Sequence, residues 1–269
     1  MPRALTEEQV AGFRRDGFVF PMDALSAEEA AAAADCLERY ERDTGEKAQA
    51  TLAHKSHLPF RLFSDIVRHP RILDAVEDLI GPDILCWGSS FFVKEARDPG
   101  YVSWHCDTYY YGIEPRETVT AWVAFTPSDR ESGCIRCIPG SHLAETAFDE
   151  TPNPGNMLTR GQTTRGVDEC RAVYMPLEAG QFSIHHECTV HSSEPNGADY
   201  RRIGLSIHYC PTRARQTRYT KQRPSAALVR GTDRYGHWDR EPRTEVEFDA
   251  AAAARMKAIR AGFLGRRRD

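Results

Sequence analysis

The chain is expected to be an α+β protein, with a β-sandwich or barrel as its body and helices packed outside it. Two observations predict this. Up to about Pro82 the sequence reads as capped, amphipathic helices, and beyond it as short β-prone runs parted by Gly, Pro, Asn and Asp. A third bears on organisation: no repeat or linker interrupts the 269 residues, so one domain is expected. Its parts are a helical N-terminal segment over about 1–82, a β core over about 83–212 and a C-terminal extension over about 213–269.

Taken in order, Thr6-Glu7-Glu8-Gln9 and Ser26-Ala27-Glu28-Glu29 have the hydroxyl-x-x-Glu/Gln form in which side chain and backbone cap each other. Helices are therefore expected over about 6–16 and 26–43, with a short strand at Gly17 to Phe20 between them. A third helix opens at Pro70, a residue favoured at the first helical position. It presents Ile72, Leu73, Val76, Leu79 and Ile80 on one face and stops at Gly81-Pro82. Strands are expected near 84–95, 102–108, 118–127, 134–138, 172–176, 181–186 and 201–209. Residues from about 146 to 170, rich in Thr, Pro, Asn and Gly, read as a long functional loop or lid. Asp249 reads as the cap of a final helix over about 250–263.

A net charge of −4 points away from nucleic acid and anionic membranes, which leaves a small molecule as the expected partner. The basic tail Arg266-Arg267-Arg268 reads as solvated. No run approaches the roughly 18 apolar residues of a membrane helix, and the N-terminus lacks the apolar stretch of a signal peptide, so a cytoplasmic location is expected. The eight cysteines are scattered, as reduced thiols would be. Cys134 and Cys137 form a close pair without a second pair of ligands, and read as residues of a buried strand rather than a zinc or redox site.

The segment that carries chemistry is Trp104-His105-Cys106-Asp107. On a strand, residues two apart share a face, so His105 and Asp107 converge on one ion while Cys106 points to the opposite side. Two His and one carboxylate on one face of a metal form the ligand set of non-haem iron(II) oxygenases. The third ligand is sought between Gly180 and Asn196. There His191, ahead of a turn and of Arg201-Arg202 at the start of an apolar strand, is preferred to His185 and His186.

With these pieces in place, the chain resembles the phytanoyl-CoA dioxygenase family of iron(II)/2-oxoglutarate oxygenases from about residue 5 to residue 212. The matching pieces are Leu5 to Gln9 with Asp16-Gly17-Phe18, Leu79 to Asp83, Trp104 to Asp107, Val119 to Phe125, and Gly133. Further on come Pro139-Gly140-Ser141-His142 and His191 to Asn196, followed by Arg201-Arg202. The resemblance implies a double-stranded β-helix (jelly-roll) core, iron(II) held by His105, Asp107 and His191, and 2-oxoglutarate and O₂ as co-substrates. It selects Arg202, about eleven residues after the distal His, to grip the far carboxylate of 2-oxoglutarate, with Arg201 as the alternative register. A planar guanidinium matches a carboxylate with two parallel hydrogen bonds, which Lys does not.

By the same resemblance Ser193 adds a hydroxyl to that carboxylate and Trp122 lies beside the co-substrate. The alternation of Thr120, Trp122 and Ala124 with Val119, Ala121, Val123 and Phe125 equally fits an ordinary core strand. Lys94 is expected to reach the co-substrate or the substrate, and His142 to be structural. Trp104, Tyr109, Tyr110 and Tyr111 either line a substrate pocket or pack as its rim. The reaction implied is hydroxylation of an aliphatic C–H in a small, polar metabolite or natural-product intermediate, releasing succinate and CO₂. Related halogenases carry a small residue where Asp107 stands, so a carboxylate there favours hydroxylation over chlorination. Relatives act on acyl thioesters, ectoine-like solutes, amino acids, aminophosphonates and natural-product scaffolds; Lys94, Arg116 and the tyrosines favour a small polar or zwitterionic substrate. The rival readings are a non-catalytic metal-binding jelly roll and a hydrolase using the same three ligands.

Overall fold

The structure, a computed structural model, describes residues 2–158, 160–218 and 223–264. Its first helices form as their caps demand. Helix α1 (Glu7–Asp16) opens on a reciprocal Thr6/Gln9 capping box and closes on Gly17, which sits in the left-handed region at φ 88°. Strand β1 (Phe18–Asp23) leads to α2 (Ala27–Thr44), opened by the equivalent Ser26/Glu29 box. Two short helices that carry no capping signal, α3 (Ala48–Thr51) and α4 (Arg61–Ile66), come before α5 (Pro70–Ile80). Helix α5 buries Ile72, Leu73, Ala75 and Val76.

The strands then follow: β2 (Ile84–Lys94), β3 (Val102–His105), the single helical turn α6 (Thr108–Tyr111), β4 (Ile113–Glu114), β5 (Val119–Ala124) and β6 (Ile135–Cys137). Next come β7 (Phe148–Glu150), β8 (Gln162–Thr164), β9 (Val173–Tyr174), β10 (Gln181–His186), β11 (His191–Ser193) and β12 (Arg202–Pro211). The C-terminal extension supplies β13 (Arg215–Gln216), β14 (Ser225–Arg230), β15 (Asp239–Arg240) and α7 (Ala250–Leu264).

Seven strands form a major sheet in the order β1-β10-β5-β12-β2-β14-β15, and four form a minor sheet, β3-β11-β6-β9. Together they make the jelly roll. Period-2 alternation sorts each strand of the major sheet between two environments. Val119, Ala121 and Val123 of β5 and Ile203, Leu205 and Ile207 of β12 pack with Leu37, Phe63, Ile72 and Val76 of the helices. The opposite row turns toward the minor sheet, where Trp122 and Ala124 meet Ile135 and Cys137. Each fully buried large aliphatic side chain contributes about 1.5–3 kcal/mol, so the helical layer fixes which face of the sheet is left for the site.

Several expectations are modified. The strand expected over 102–108 ends at His105, and Asp107 has helical backbone (φ −68°, ψ −34°) at the start of α6. His191, expected ahead of a turn, lies on β11. Within 146–170 the chain is not a bare loop, since β7 and β8 pair as a hairpin. The major sheet also recruits β1 from the N-terminal part and β14 from the extension. Strand β2 carries a bulge: the pairing with β12 shifts between His208 and Tyr209, leaving Trp87 as the extra residue. Among the described residues no helix is long and apolar enough to cross a membrane. The Arg266–Arg268 tail lies outside the described residues.

Candidate active site

His105 ends β3 and His191 opens β11; the two are register partners, with ring centroids 4.1 Å apart. The turn after β3 brings Asp107 beside them, so that one ligand atom from each residue lies within 4.8 Å of the others. Convergence is thus achieved by a turn rather than by the pleat of one strand. The Nδ1 atom of each imidazole lies 2.9 Å from the carbonyl oxygen two residues upstream, Ser103 for His105 and Thr189 for His191. A carbonyl only accepts, so Nδ1 carries the proton and Nε2 presents its lone pair to the cluster.

Asp107 accepts a hydrogen bond from Thr120 Oγ1 at 3.1 Å. Burial raises its pKa, but the imidazoles of His105 and His185, each with Nε2 3.6 Å from the carboxylate, outweigh burial and hold the carboxyl well below the usual range. Burial pushes His191 well below its ordinary value. Two neutral imidazoles and one carboxylate anion are the donors a divalent first-row ion takes. Cys106 is excluded, its Sγ lying 3.7 Å from Thr146 Oγ1.

At the other end of the inner face, Arg202 is 1% exposed. Its Nη1 donates to the Gly133 carbonyl and to Ser193 Oγ, while Nε has no partner. Its Cζ stands 5.3 Å from the centre of the Trp122 ring. Ser193 Oγ donates to the Gly133 carbonyl at 2.7 Å and accepts from Lys94 Nζ at 2.7 Å. Lys94 also donates to the Glu194 carbonyl. Burial, and then repulsion from Arg202, brings Lys94 down to about 6. Arg201 points the other way, with its guanidinium 2.6 Å from Glu41 and 3.1 Å from Glu95.

A cavity of about 240 Å³ between the sheets is lined by His105, Asp107, His191, Trp122, Ser193 and Arg202. Lys94 is not among its walls, and neither is Arg116, which lies near Glu114 on the surface at 3.8 Å. Tyr110 and Tyr111 line it. Tyr109 instead donates to the Thr146 carbonyl, and Trp104 lies under the Arg136 guanidinium at 4.6 Å. His142 stays outside the cavity, its Nε2 3.2 Å from the Arg14 carbonyl.

Of three further groups on the inner wall, sequence reasoning weighed His185 only as a rival ligand to His191 and missed His208 and Trp87. His185 is buried with neither ring nitrogen hydrogen-bonded, and its Nε2 lies 3.6 Å from Asp107 Oδ2. His208 Nδ1 lies 2.9 Å from the Tyr111 hydroxyl and 3.1 Å from Thr120 Oγ1. Trp87 lies at the bulge. The signal for His185 was present in the alternation of Ser183 and His185 against core-facing Phe182 and Ile184; the bulge left none.

A family model described as phytanoyl-CoA dioxygenase (PhyH) matches residues 13–204. A solved structure of the non-heme monooxygenase ThoJ in complex with nickel superposes with a TM-score of 0.79 at 34% identity, covering 96% of this chain and 98% of that one. The structure of CytC3 with Fe(II) and alpha-ketoglutarate gives a TM-score of 0.69 at 25% identity, with 91% and 97% covered. Among curated proteins, the probable alpha-ketoglutarate-dependent hypophosphite dioxygenase of Stutzerimonas stutzeri is 24% identical over 175 residues, 64% of this chain and 61% of that protein. The chain spans about six tenths of the length of such curated relatives.

Proposed function

The chain belongs to the phytanoyl-CoA dioxygenase family, and from that premise we propose that it is an iron(II)- and 2-oxoglutarate-dependent oxygenase that hydroxylates an aliphatic C–H of a small, polar metabolite or natural-product intermediate. One observation carries the reading. The His105, Asp107 and His191 donors share a cavity with a buried guanidinium, Arg202, whose Nε is left without a partner. A structural metal site has no use for that cation; a dicarboxylate co-substrate does.

Bound iron(II) would couple oxidative decarboxylation of 2-oxoglutarate, to succinate and CO₂, with transfer of the second oxygen atom of O₂ into the substrate C–H. The protein's part is positional. His105, Asp107 and His191 would hold the ion, and the carbonyls of Ser103 and Thr189 keep both rings in the tautomer that offers Nε2 to it. Arg202 receives the far carboxylate, and the Trp122 ring walls that end. Ser193 Oγ gives its proton to the Gly133 carbonyl and accepts from both Arg202 and Lys94, so it steadies the guanidinium, and Lys94 acts through it rather than on the co-substrate. Asp107 fills the ligand position that a halide would need, which favours hydroxylation.

Anaerobic titration with iron(II) and 2-oxoglutarate, followed by the weak visible charge-transfer band, tests the reading. The parent chain should develop the band and His105→Ala should not. Arg202→Ala should weaken 2-oxoglutarate binding about 100-fold, the cost of leaving a buried carboxylate unpaired. Undiminished affinity would remove Arg202 as the anchor.

A further inference from the structure

We propose that Arg160 is the substrate-recognition cation of this cavity and that the substrate is a small molecule bearing an oxyanion, a carboxylate or a phosphoryl group, on a flat apolar body. The inference rests on the oxygenase reading above and adds the class of substrate.

The cavity has two ends. Arg202 and His208 both line it and stand six residues apart on β12, a span of about 20 Å at roughly 3.3 Å per residue. The Arg202 end is assigned to the co-substrate. Around His208 the walls are aromatic: Trp87 stacks on its ring at 5.2 Å and meets the edge of Tyr111 at 4.5 Å. Arg160 lines this same cavity, with its Cζ 5.3 Å from the centre of the neighbouring Tyr110 ring.

Charge decides what such an end can accept. Asp107 is the sole carboxylate among the described residues that line the cavity. With iron(II), the 2-oxoglutarate dianion, Asp107 and Arg202 in place, the inner charges cancel, and among the described residues that line the cavity Arg160 alone remains uncompensated. Among the described residues no acidic side chain pairs with Arg160, whereas Arg165, five positions on, pairs with Asp149. Trp87 adds an indole N–H that is buried and without a partner. Indole N–H and guanidinium only donate, so the ligand they complement is an acceptor carrying negative charge.

The loop also holds Arg160 in a defined place. Asn156 Nδ2 donates to Ser103 Oγ at 2.8 Å, Met157 N–H donates to the Tyr101 carbonyl at 2.8 Å, and Ser103 Oγ donates to the Gln162 carbonyl. Both flanks of Arg160 are thereby tied to Ser103, the residue whose carbonyl orients the His105 ring. A cation anchored to the strand that bears a metal ligand is pre-organised for binding. A solvated arginine resting on a tyrosine would need no such ties.

The test uses the full chain, anaerobic, with iron(II) and saturating 2-oxoglutarate, so that Arg202 is already occupied. Three probes are titrated: 3-phenylpropionate, phenyl phosphate and the uncharged 3-phenylpropionamide. Binding is read from the shift of the charge-transfer band and from tryptophan fluorescence. The parent should bind at least one anion about tenfold tighter than the amide, as a charge-assisted hydrogen bond gives, and the tighter anion identifies the group. Arg160→Gln should lose that preference while its 2-oxoglutarate band stays as in the parent. Equal affinity for anions and amide, no anion binding by the parent, or a preference that survives Arg160→Gln would each overturn the proposal. A parent chain that shows no band would instead overturn the oxygenase reading itself.

Discussion

Gly204 and Trp122 act as one unit. A Cβ on Gly204 would stand 2.0 Å from Cζ2 of the indole, so the absence of a side chain is what lets the ring lie over β12 beside Arg202. Gly204→Ala should displace the ring, cost about 1–3 kcal/mol as overpacking does, and weaken 2-oxoglutarate binding; a urea midpoint and the charge-transfer titration report the two effects separately. Unaltered co-substrate affinity in this variant would show that Trp122 is no wall of that subsite. Glu187 makes a second prediction at this scale. Burial raises its carboxyl to about 7 from an ordinary 4.5. The folded state therefore favours the neutral form, and the stability this contributes is present below pH 4.5 and lost as the pH climbs through 7. Glu187→Gln should match the parent near pH 4.5 and exceed it by up to about 3 kcal/mol above pH 7. Urea midpoints at pH 5 and pH 8 would contradict this if the gap failed to widen with pH.

Adjacent residues at the start of β12, Arg201 just before it and Arg202 its first residue, acquire opposite duties because successive side chains point to opposite sides. Arg202 turns into the cavity, while Arg201 turns to Glu41 on α2 and to Glu95 at the end of β2. Arg201→Ala should thus cost about 1 kcal/mol of stability, discounted for its partly solvated partners, and leave 2-oxoglutarate affinity within about twofold of the parent, since this guanidinium does not line the cavity. A large loss of affinity would reverse the assignment of the two arginines. The bulge in β2 shows the same principle by exception. Before it Ile84 and Cys86 enter the helical core and the bulged Trp87 lines the cavity; after it Ser90 and Phe92 line the cavity, and Phe91 and Val93 enter the helical core. One extra residue flips every following side chain.

For the molecule as a whole, the site joins the two sheets. His105 and His191 belong to the minor sheet and Arg202 to the major one, so iron(II) and 2-oxoglutarate bound together would cross-link them. Ligand at 100 times its Kd stabilises the native state by about 2.7 kcal/mol, and the melting temperature should rise accordingly in anaerobic calorimetry, with the gain removed by a chelator. A melting temperature indifferent to both ligands would sink the shared-site reading. Scale also governs what was legible. The capping boxes of α1 and α2 and the apolar face of α5 were read to within a residue or two, because caps and periodicity act over three or four positions. The minor sheet was read less well, because strands of two to four residues carry too little pattern.

The sequence by itself determined the helical caps, the parity of β5, and the three residue types able to hold a metal. It also proposed the Arg that follows them. Tertiary structure alone decided which of Arg201 and Arg202 faces the cavity, that Asp107 reaches the histidines from a turn, and that Lys94 is spent on Ser193. It alone brought His185, Trp87 and Arg160 to one space and set the Gly133 carbonyl against Arg202. The physical reason is range. Caps and alternation are interactions between near neighbours, whereas the Gly133 carbonyl meets Ser193 and Arg202 across separations of 60 and 69 residues. Contacts of that kind leave no periodic trace in the chain and exist only once the sheets have closed.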